Sequence, residues 1–345
     1  MRVLHVTPAV FGPGRRGGGE RYVSELVAAE RDAGVAVQTL VVPSMWSAHL
    51  IDENTNVRRD GRSLFRAVRQ ADVIHVHQLN TPGFDYAAFI AMVAGKPLVL
   101  TDHGGGLLAP GRALGRLRLH FVTAAAFVSE WSRSDLDPTG VIASYRIVYG
   151  GGDHILSRPV ASSKTDFPRS DYGFVGRLLP HKGAHIAITA LPSDKSLHII
   201  GEARDAAYLD ELRNLAEGKQ VTFTHDLRDD DLLSAYQSFG ALLVPSVSDY
   251  KGTKYDRPEL LGLSALEALC ARTPVVASAV GGLGEAMSWA GQTVLTPGDT
   301  DAWSVELGRG DEERHVLGGP AAPTWAGVAQ RCTELYEAAL SKKNR

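Results

Sequence analysis

Cysteine is scarce in this 345-residue chain, with only Cys270 and Cys332 present. Two thiols cannot build a disulfide framework or a zinc site, so a reducing, cytoplasmic setting is the expectation. Long hydrophobic runs are also missing, and no window reaches the roughly 18 consecutive apolar residues that a membrane span requires. The opening MRVLHVTPAV has one arginine and too short an apolar stretch to read as a secretory signal. Nor is there an excess of charge of one sign. Thirty-six Lys+Arg oppose 39 Asp+Glu for a net −3, so no overall basic field calls for nucleic acid. Disorder is excluded by 44% hydrophobic and 22% charged residues, and the 36 glycines follow no collagen-like period.

What is present is an α/β pattern long enough for two domains. Short apolar runs rich in β-branched residues alternate with segments of helical period, as in folds built on parallel sheets. RVLHVTPAV, VAVQTLVVP, DVIHVHQ, KPLVLTDH, AAAFVS and YRIVYGGGD read as strands, with helices between several of them. The aperiodic stretch 157–170 reads as a linker. The pattern restarts at DYGFVGRL, runs through SLHIIGE, VTFTHDL, ALLVPS and TPVVASAV, and closes on the helical TWAGVAQRCTELYEAALSK. Two Rossmann-like, doubly wound domains follow, 1–160 and 166–322, with ligands expected at the carboxyl ends of their strands. The charge divides unevenly: residues 1–165 carry 18 basic and 14 acidic side chains, and residues 166–345 carry 18 and 25.

Three stretches carry chemistry. The first is GPGRRGGGE, residues 12–20, where glycines at a helix N-terminus let backbone N–H groups approach an anion. Gly12, Gly14 and Gly17 fit G-x-G-x-x-G literally, yet the second strand ends without the acid that would hold an adenosine ribose. In FVGRLLPHKG, Arg177 and Lys182 lie just past the first strand of the second domain. They can converge on a pyrophosphate, or form an ordinary solvated basic turn. In PELLGLSALEA, Glu259 and Glu267 are eight residues apart. On one continuous helix that is about 2.2 turns, so the two carboxylates lie within roughly 80° of each other. Carboxylates accept hydrogen bonds from hydroxyls, and the apolar neighbours argue against two exposed helix acids.

Taken in order, these motifs resemble the family-4 retaining glycosyltransferases of GT-B fold, in which two Rossmann-like domains face each other across a cleft. The resemblance covers nearly the whole chain: the glycine loop with GGGE, DVIHVHQ, LTDHG, FVSEWSR, IVYGGGD, FVGRLLPHKG, the E-x7-E of Glu259 and Glu267, and TPVVASAVGGLGE. The closing segment, 323–345, looks like the family's helix that crosses back to the first domain. The resemblance implies a nucleotide-sugar donor, a UDP-sugar as the commonest and a GDP- or ADP-sugar as alternatives, and an unidentified hydroxyl acceptor. Arg177 and Lys182 would bind the diphosphate and stabilise its departure, and Glu267 would hold the ribose. Glu259, with backbone N–H groups of Leu261, Gly262 and Leu263, would hold the donor sugar. His103 would stand by sugar and acceptor, Gly18 and Gly19 would close over the phosphates, and the base would sit near His225–Leu227. No metal or other cofactor is implied, because the cations take over the charge of the diphosphate.

Departures and plainer readings complete the picture. The stretch SVSDYKGTKYDRP places an insertion, residues 247–258, before Glu259 with Lys251, Lys254 and Arg257 in it, and Thr273 stands where the family has glycine. Asp229-Asp230-Asp231 contains a D-x-D but suits a helix start. His75 and His77 share a strand face, yet no third metal ligand is evident, so a structural or cleft-edge role is expected. The run GRALGRLRLH, with Arg112, Arg116, Arg118 and His120, reads as a solvated cationic face, with membrane contact as the alternative. Cys270 reads as a small core residue. The competing functions are a dinucleotide-dependent oxidoreductase and a non-catalytic sugar-nucleotide-binding protein of the same fold.

Overall fold

The computed structural model describes residues 1–11, 17–44, 47–51, 57–58, 61–104, 112–156, 167–225, 227–256, 259–309 and 323–343. The chain divides into two compact units, Met1–Gly150 with Thr324–Arg345, and Gly151–Pro323. Most of the expected linker, 157–166, lies outside the described residues.

The first unit is an eight-stranded sheet formed by β1 (Arg2–Thr7), β2 (Ala36–Ser44), β3 (Ser47–Ile51), β4 (Val57–Arg58), β5 (Val73–His77), β6 (Leu98–Thr101), β7 (Ala124–Phe127) and β8 (Tyr145–Ile147). The order is β4-β3-β2-β1-β5-β6-β7-β8, and the order reverses between β1 and β5. The strands from β2 through β8 in that order are parallel, while β3 and β4 extend the edge antiparallel. Strands β5, β6 and β7 are buried along their whole length, as expected of parallel strands covered on both faces. Helices α1 (Gly18–Asp32), α2 (Gly61–Gln70), α3 (Pro82–Ala94), α4 (Arg112–Leu119) and α5 (Glu130–Leu136) belong to this unit. Helix α3 shows why the chain coils where it does. The Thr81 side chain caps the Phe84 N–H, Pro82 fills the first turn, and Gly95 ends the helix in the left-handed region at φ 57°. Leu4, Val6, Ile74, Val76, Leu98 and Phe84 lie in the hydrophobic core on one sheet face.

The second unit has β9 (Ser170–Val175), β10 (Ser196–Ile200), β11 (Gln220–Thr224), β12 (Phe239–Val244), the hairpin strands β13 (Asp249–Tyr250) and β14 (Thr253–Lys254), β15 (Val275–Ser278) and β16 (Thr293–Leu295). Its main sheet runs β11-β10-β9-β12-β15-β16, all parallel. Renumbered within the unit this is 3-2-1-4-5-6, the Rossmann order, which reverses between β9 and β12. Its helices are α6 (Ala184–Ala190), α7 (Ala206–Leu215), α8 (Leu232–Gln237), α9 (Leu263–Cys270), α10 (Gly281–Trp289) and α11 (Thr300–Leu307). Tyr172, Phe174, Leu197, Leu243 and Trp303 belong to the core. The final helix, α12 (Trp325–Lys343), is part of the first unit and packs on α1.

One expectation is corrected here. A continuous helix carrying both Glu259 and Glu267 does not form, because α9 begins only at Leu263. Gly262 sits at φ 81°, and a Cβ there would lie 2.5 Å from Leu283 Cδ1. That contact calls for a glycine in a left-handed bend, which breaks the helical run. Glu259 therefore lies in the preceding loop, where its carbonyl accepts the Gly282 N–H at 3.1 Å.

Candidate functional site

In the second unit, Arg177 and Lys182 both follow the carboxyl end of β9, at the point where the strand order reverses. Lys182 ends a short 3-10 turn, Pro180–Lys182, capped by Gly183 at φ 76°. A Cβ on Gly183 would lie 1.8 Å from the Pro245 carbonyl oxygen, so only glycine lets this turn seat beside the segment leaving β12. Lys182 Nζ donates to Glu259 Oε2, so the cation of one motif and the acid of another, 77 residues on, form one ion pair. The lysine side chain is 20% exposed and the glutamate 15% exposed. Neither is the freely solvated charge of a surface turn. Burial first, and then the nearby Lys182, lowers the pKa of His181 to about 4.

Glu267 lies on α9, close to Glu259 in sequence but in a different setting. It is buried, accepts the Tyr236 hydroxyl at 2.6 Å through Oε2, and has His154 Nε2 3.1 Å from Oε1. The GGGD loop approaches α9 so closely that a Cβ on Gly152 would lie 2.3 Å from the Leu266 carbonyl oxygen. Leu261 is buried, and Gly262 caps α9 without any side-chain hydrogen bond to its first N–H groups, Leu263 onward. Uncapped N–H groups at a helix start suit an anion or a sugar oxygen.

The insertion after β12 packs on the cationic turn. Val247 N–H donates to the His181 carbonyl at 2.8 Å, and the Tyr255 ring lies 5.0 Å from His181. Its hairpin turns at Lys251 and Gly252, both with positive φ, the signature of a tight two-residue loop. Lys251 pairs with Glu211 at 2.8 Å, and Tyr250 donates to the same carboxylate. Lys251 is thereby tied to α7. Lys254 is exposed, and Arg257 lies outside the described residues.

In the first unit, Gly18 and Gly19 open α1, and Gly19 lies against His103: a Cβ on Gly19 would be 3.0 Å from His103 Cβ. Gln78 follows β5 with φ 79°, uncommon for a side-chain-bearing residue, and its Nε2 donates to the Gly104 carbonyl at 3.2 Å. Sequence patterning gave no sign of Gln78. His103 Nε2 lies 3.1 Å from His77 Nδ1, and burial lowers the His103 pKa to about 4.

Behind His103 is a polar cluster that the sequence only half revealed. His5 on β1 is the cross-strand partner of His75 on β5, so His5, His75 and His77 share one sheet face, all buried. His5 is the third ligand-capable histidine that spacing did not supply. The ligand atoms of the three lie within 4.8 Å of one another. The one hint in the sequence was a histidine in each of RVLHV and DVIHVH, and the register that brings them together is seen only in the pairing of β1 with β5.

Other expectations meet a mixed outcome. Asp229–Asp231 form a 3-10 turn opening α8, with Asp231 paired to Arg228 at 3.0 Å. The cationic run on α4 is divided: Arg118 is buried and pairs with Asp85 at 2.7 Å, while Arg116 is exposed. Arg112 has no described side chain. His225 follows β11 and lies 3.1 Å from the Gly201 carbonyl, with Asp226 outside the described residues. Cys270 is half-buried at the end of α9 rather than a core residue, whereas Cys332 is buried. No helix among the described residues is long and apolar enough to cross a membrane.

Comparison with known proteins finds a match for each of the two units. "Glycosyltransferase Family 4" matches residues 16–154 and "Glycosyl transferases group 1" matches residues 162–307. The GDP-mannose-dependent alpha-(1-6)-phosphatidylinositol monomannoside mannosyltransferase of Mycobacterium tuberculosis is 27% identical across 97% of this chain and 96% of its own. The D-inositol 3-phosphate glycosyltransferase of Corynebacterium glutamicum is 29% identical across 61% of this chain, a match spanning about half of that relative, 54%. Among solved structures, AviGT4, a glycosyltransferase involved in avilamycin A biosynthesis, superposes with TM-score 0.65 at 20% identity, covering 99% of this chain and 98% of that one. Anabaena Alr3699/HepE, in complex with UDP and glucose, gives TM-score 0.68 at 16% identity, covering 98% of this chain and 100% of that one. Both share its fold. The order of motifs, the paired Rossmann-like units and the two matching family profiles agree: the chain belongs to the family-4 glycosyltransferases of GT-B fold.

Proposed function

We propose that this glycosyltransferase moves a hexose from a nucleoside-diphosphate donor to an acceptor hydroxyl with retention of anomeric configuration and without a metal. The observation that carries the reading is the Lys182–Glu259 pair at the reversal point of the second sheet. Ligands of doubly wound sheets bind outside the strand ends at that point. A diphosphate arriving there offers Lys182 and Arg177 a stronger anionic partner than one carboxylate. The cations then stabilise the charge that develops as the nucleoside diphosphate departs. Released from Lys182, Glu259 accepts hydrogen bonds from sugar hydroxyls, with the N–H groups around Leu261, Gly262 and Leu263 beside it. Glu267, already oriented by Tyr236, takes the ribose through its remaining lone pairs.

Attack on the same face as departure needs no protein nucleophile, since the leaving phosphate can take the proton of the acceptor hydroxyl. Glu259 is a positioning and electrostatic group in this scheme, unlike the paired carboxylates of glycosidases. In the first unit, Gly18 and Gly19 are assigned to the donor phosphates and His103 to a hydrogen bond with a sugar or acceptor hydroxyl. The Mycobacterium relative is GDP-mannose-dependent and HepE is complexed with UDP, so UDP- and GDP-sugars are the donors to compare first. The names of the Mycobacterium and Corynebacterium relatives both contain inositol, which makes a cyclitol hydroxyl the first acceptor class to assay.

The test is a panel of UDP-, GDP- and ADP-hexoses with inositol acceptors, reading the anomeric configuration of the product by NMR. Retained configuration without added divalent metal supports the reading. An inverted product, or turnover that a chelator abolishes, contradicts it.

A further inference from the structure

The buried polar cluster of the first unit has a direction. Carboxylate oxygens only accept, and a neutral imidazole donates from one nitrogen and accepts at the other. Glu30 on α1 is fully buried and has two partners, His5 Nε2 at 2.7 Å from Oε2 and the Tyr336 hydroxyl at 2.7 Å from Oε1. In the neutral form of His5, Nε2–H donates to Glu30 and leaves Nδ1 as an acceptor, which takes His77 Nε2–H across 3.0 Å. His77 Nδ1 is then an acceptor in turn, 3.1 Å from His103 Nε2. The second branch closes the same way. Tyr336 donates to Glu30, His75 Nδ1–H donates to the Tyr336 oxygen at 2.7 Å, and Thr101 Oγ1–H donates to His75 Nε2 at 2.8 Å. Every ring nitrogen of His5, His75 and His77 is used without conflict, so a metal at these three histidines would have to break bonds already made.

We propose that Glu30, acting through His5 and His77, fixes His103 with its proton on Nε2 and its Nδ1 lone pair free to accept a hydrogen bond from a substrate hydroxyl. Glu30, His5 and His77 are thus positioning residues, 25 to 98 residues away in sequence from the group or from one another. Among the described residues nothing takes His103 Nδ1, and His103 is part-exposed while the chain behind it is buried. Burial also lowers the pKa values of His75 and His77, which keeps these rings neutral and the chain readable in one direction. A carboxylate that sets the tautomer of a histidine is an established way of fixing what that ring can do. The role of His103 in sugar transfer rests on the transferase reading above; the direction of the chain does not.

The experiment is NMR of the full-length protein with 15N-labelled histidine, with His103→Gln used to assign the His103 signals. The wild type is expected to carry its His103 proton on Nε2. In Glu30→Gln the amide can donate as well as accept, so the reverse polarity opens and a clear rise in the Nδ1–H form of His103 is expected. Tyr336→Phe removes the other partner of the same carboxylate but leaves it accepting from His5, so His103 is expected to stay on Nε2–H. In transfer assays Glu30→Gln is expected to lower kcat about tenfold or more with the donor KM little changed. A wild-type His103 protonated on Nδ1 overturns the proposal without any variant having to fold. So does a folded Glu30→Gln with His103 unmoved, or a Tyr336→Phe that moves it as far. Correct tautomers with no transfer from any donor would instead sink the transferase reading and leave the chain standing.

Discussion

The second unit presents its chemistry as charge: Lys182 and Glu259, on a turn and a loop beyond the strand ends, neutralise each other while each keeps a small exposed edge. The first unit presents imidazole rings, ordered by hydrogen bonds that run from buried Glu30 to part-exposed His103. An ion pair can change partners when a stronger anion arrives, so it suits a diphosphate whose charge grows as it leaves. A directional chain of hydrogen bonds that starts at one carboxylate can hold one lone pair in one place. The difference separates what binds and stabilises from what orients.

The comparison breaks most visibly in the second unit. Lys182→Ala is expected to lower kcat/KM by about 100- to 1000-fold, the usual loss for one donor aimed at developing charge, with product formation as the readout. Glu259→Ala is expected to lose transfer to a similar extent while still binding nucleoside diphosphate, and unchanged turnover would remove its role.

Backbone packing distinguishes the units next. Gly183→Ala combines a φ of 76° with a Cβ 1.8 Å from a carbonyl oxygen. A loss of about 3 kcal/mol or more is expected from urea denaturation. Gly19→Ala, whose Cβ would meet side chains and no backbone, His103 Cβ at 3.0 Å and Gln78 Nε2 at 3.9 Å, should cost about 1 kcal/mol or less.

Acid should weaken both units. Burial holds the pKa of His103 and of His181 at about 4, below the ordinary 6.5. The unfolded chain therefore binds protons that the folded chain does not between these values. Stability is complete above about pH 6.5 and falls as the pH drops toward about 4. Urea midpoints measured at about pH 7.5 and about pH 5.5 check the sign, and an equal or higher midpoint in acid would contradict it. The smallest effect belongs to Lys251→Ala. Its pairing with Glu211 is exposed, so the melting midpoint should move by less than about 2 °C.

Much of this was legible in the amino-acid order. Apolar runs marked five of the six parallel strands of the second unit, all but the short β16, and Arg177, Lys182 and Glu259 stood out by chemistry and spacing. Other features were not. The start of α9 depends on Gly262 meeting Leu283, a contact that local helical period does not encode. Strands β3 and β4 lie antiparallel at a sheet edge, where their pairing is set by β2 and not by their own short pattern. His5 joins His75 and His77 through the register of β1 against β5, which is fixed by packing across the whole sheet. The pairing of Lys182 with Glu259 was likewise invisible, although both residues were named, because spacing along the chain says nothing about closure across 77 residues.

The most direct measurement is calorimetric titration of UDP and GDP into the wild type and into Lys182→Ala at one salt concentration. The wild type should bind at least one of them at a single site, Lys182→Ala about 10- to 100-fold more weakly, as expected for loss of one charge-assisted contact to phosphate. Absence of binding by the wild type, or equal affinity in the variant, would contradict a diphosphate site built on Lys182.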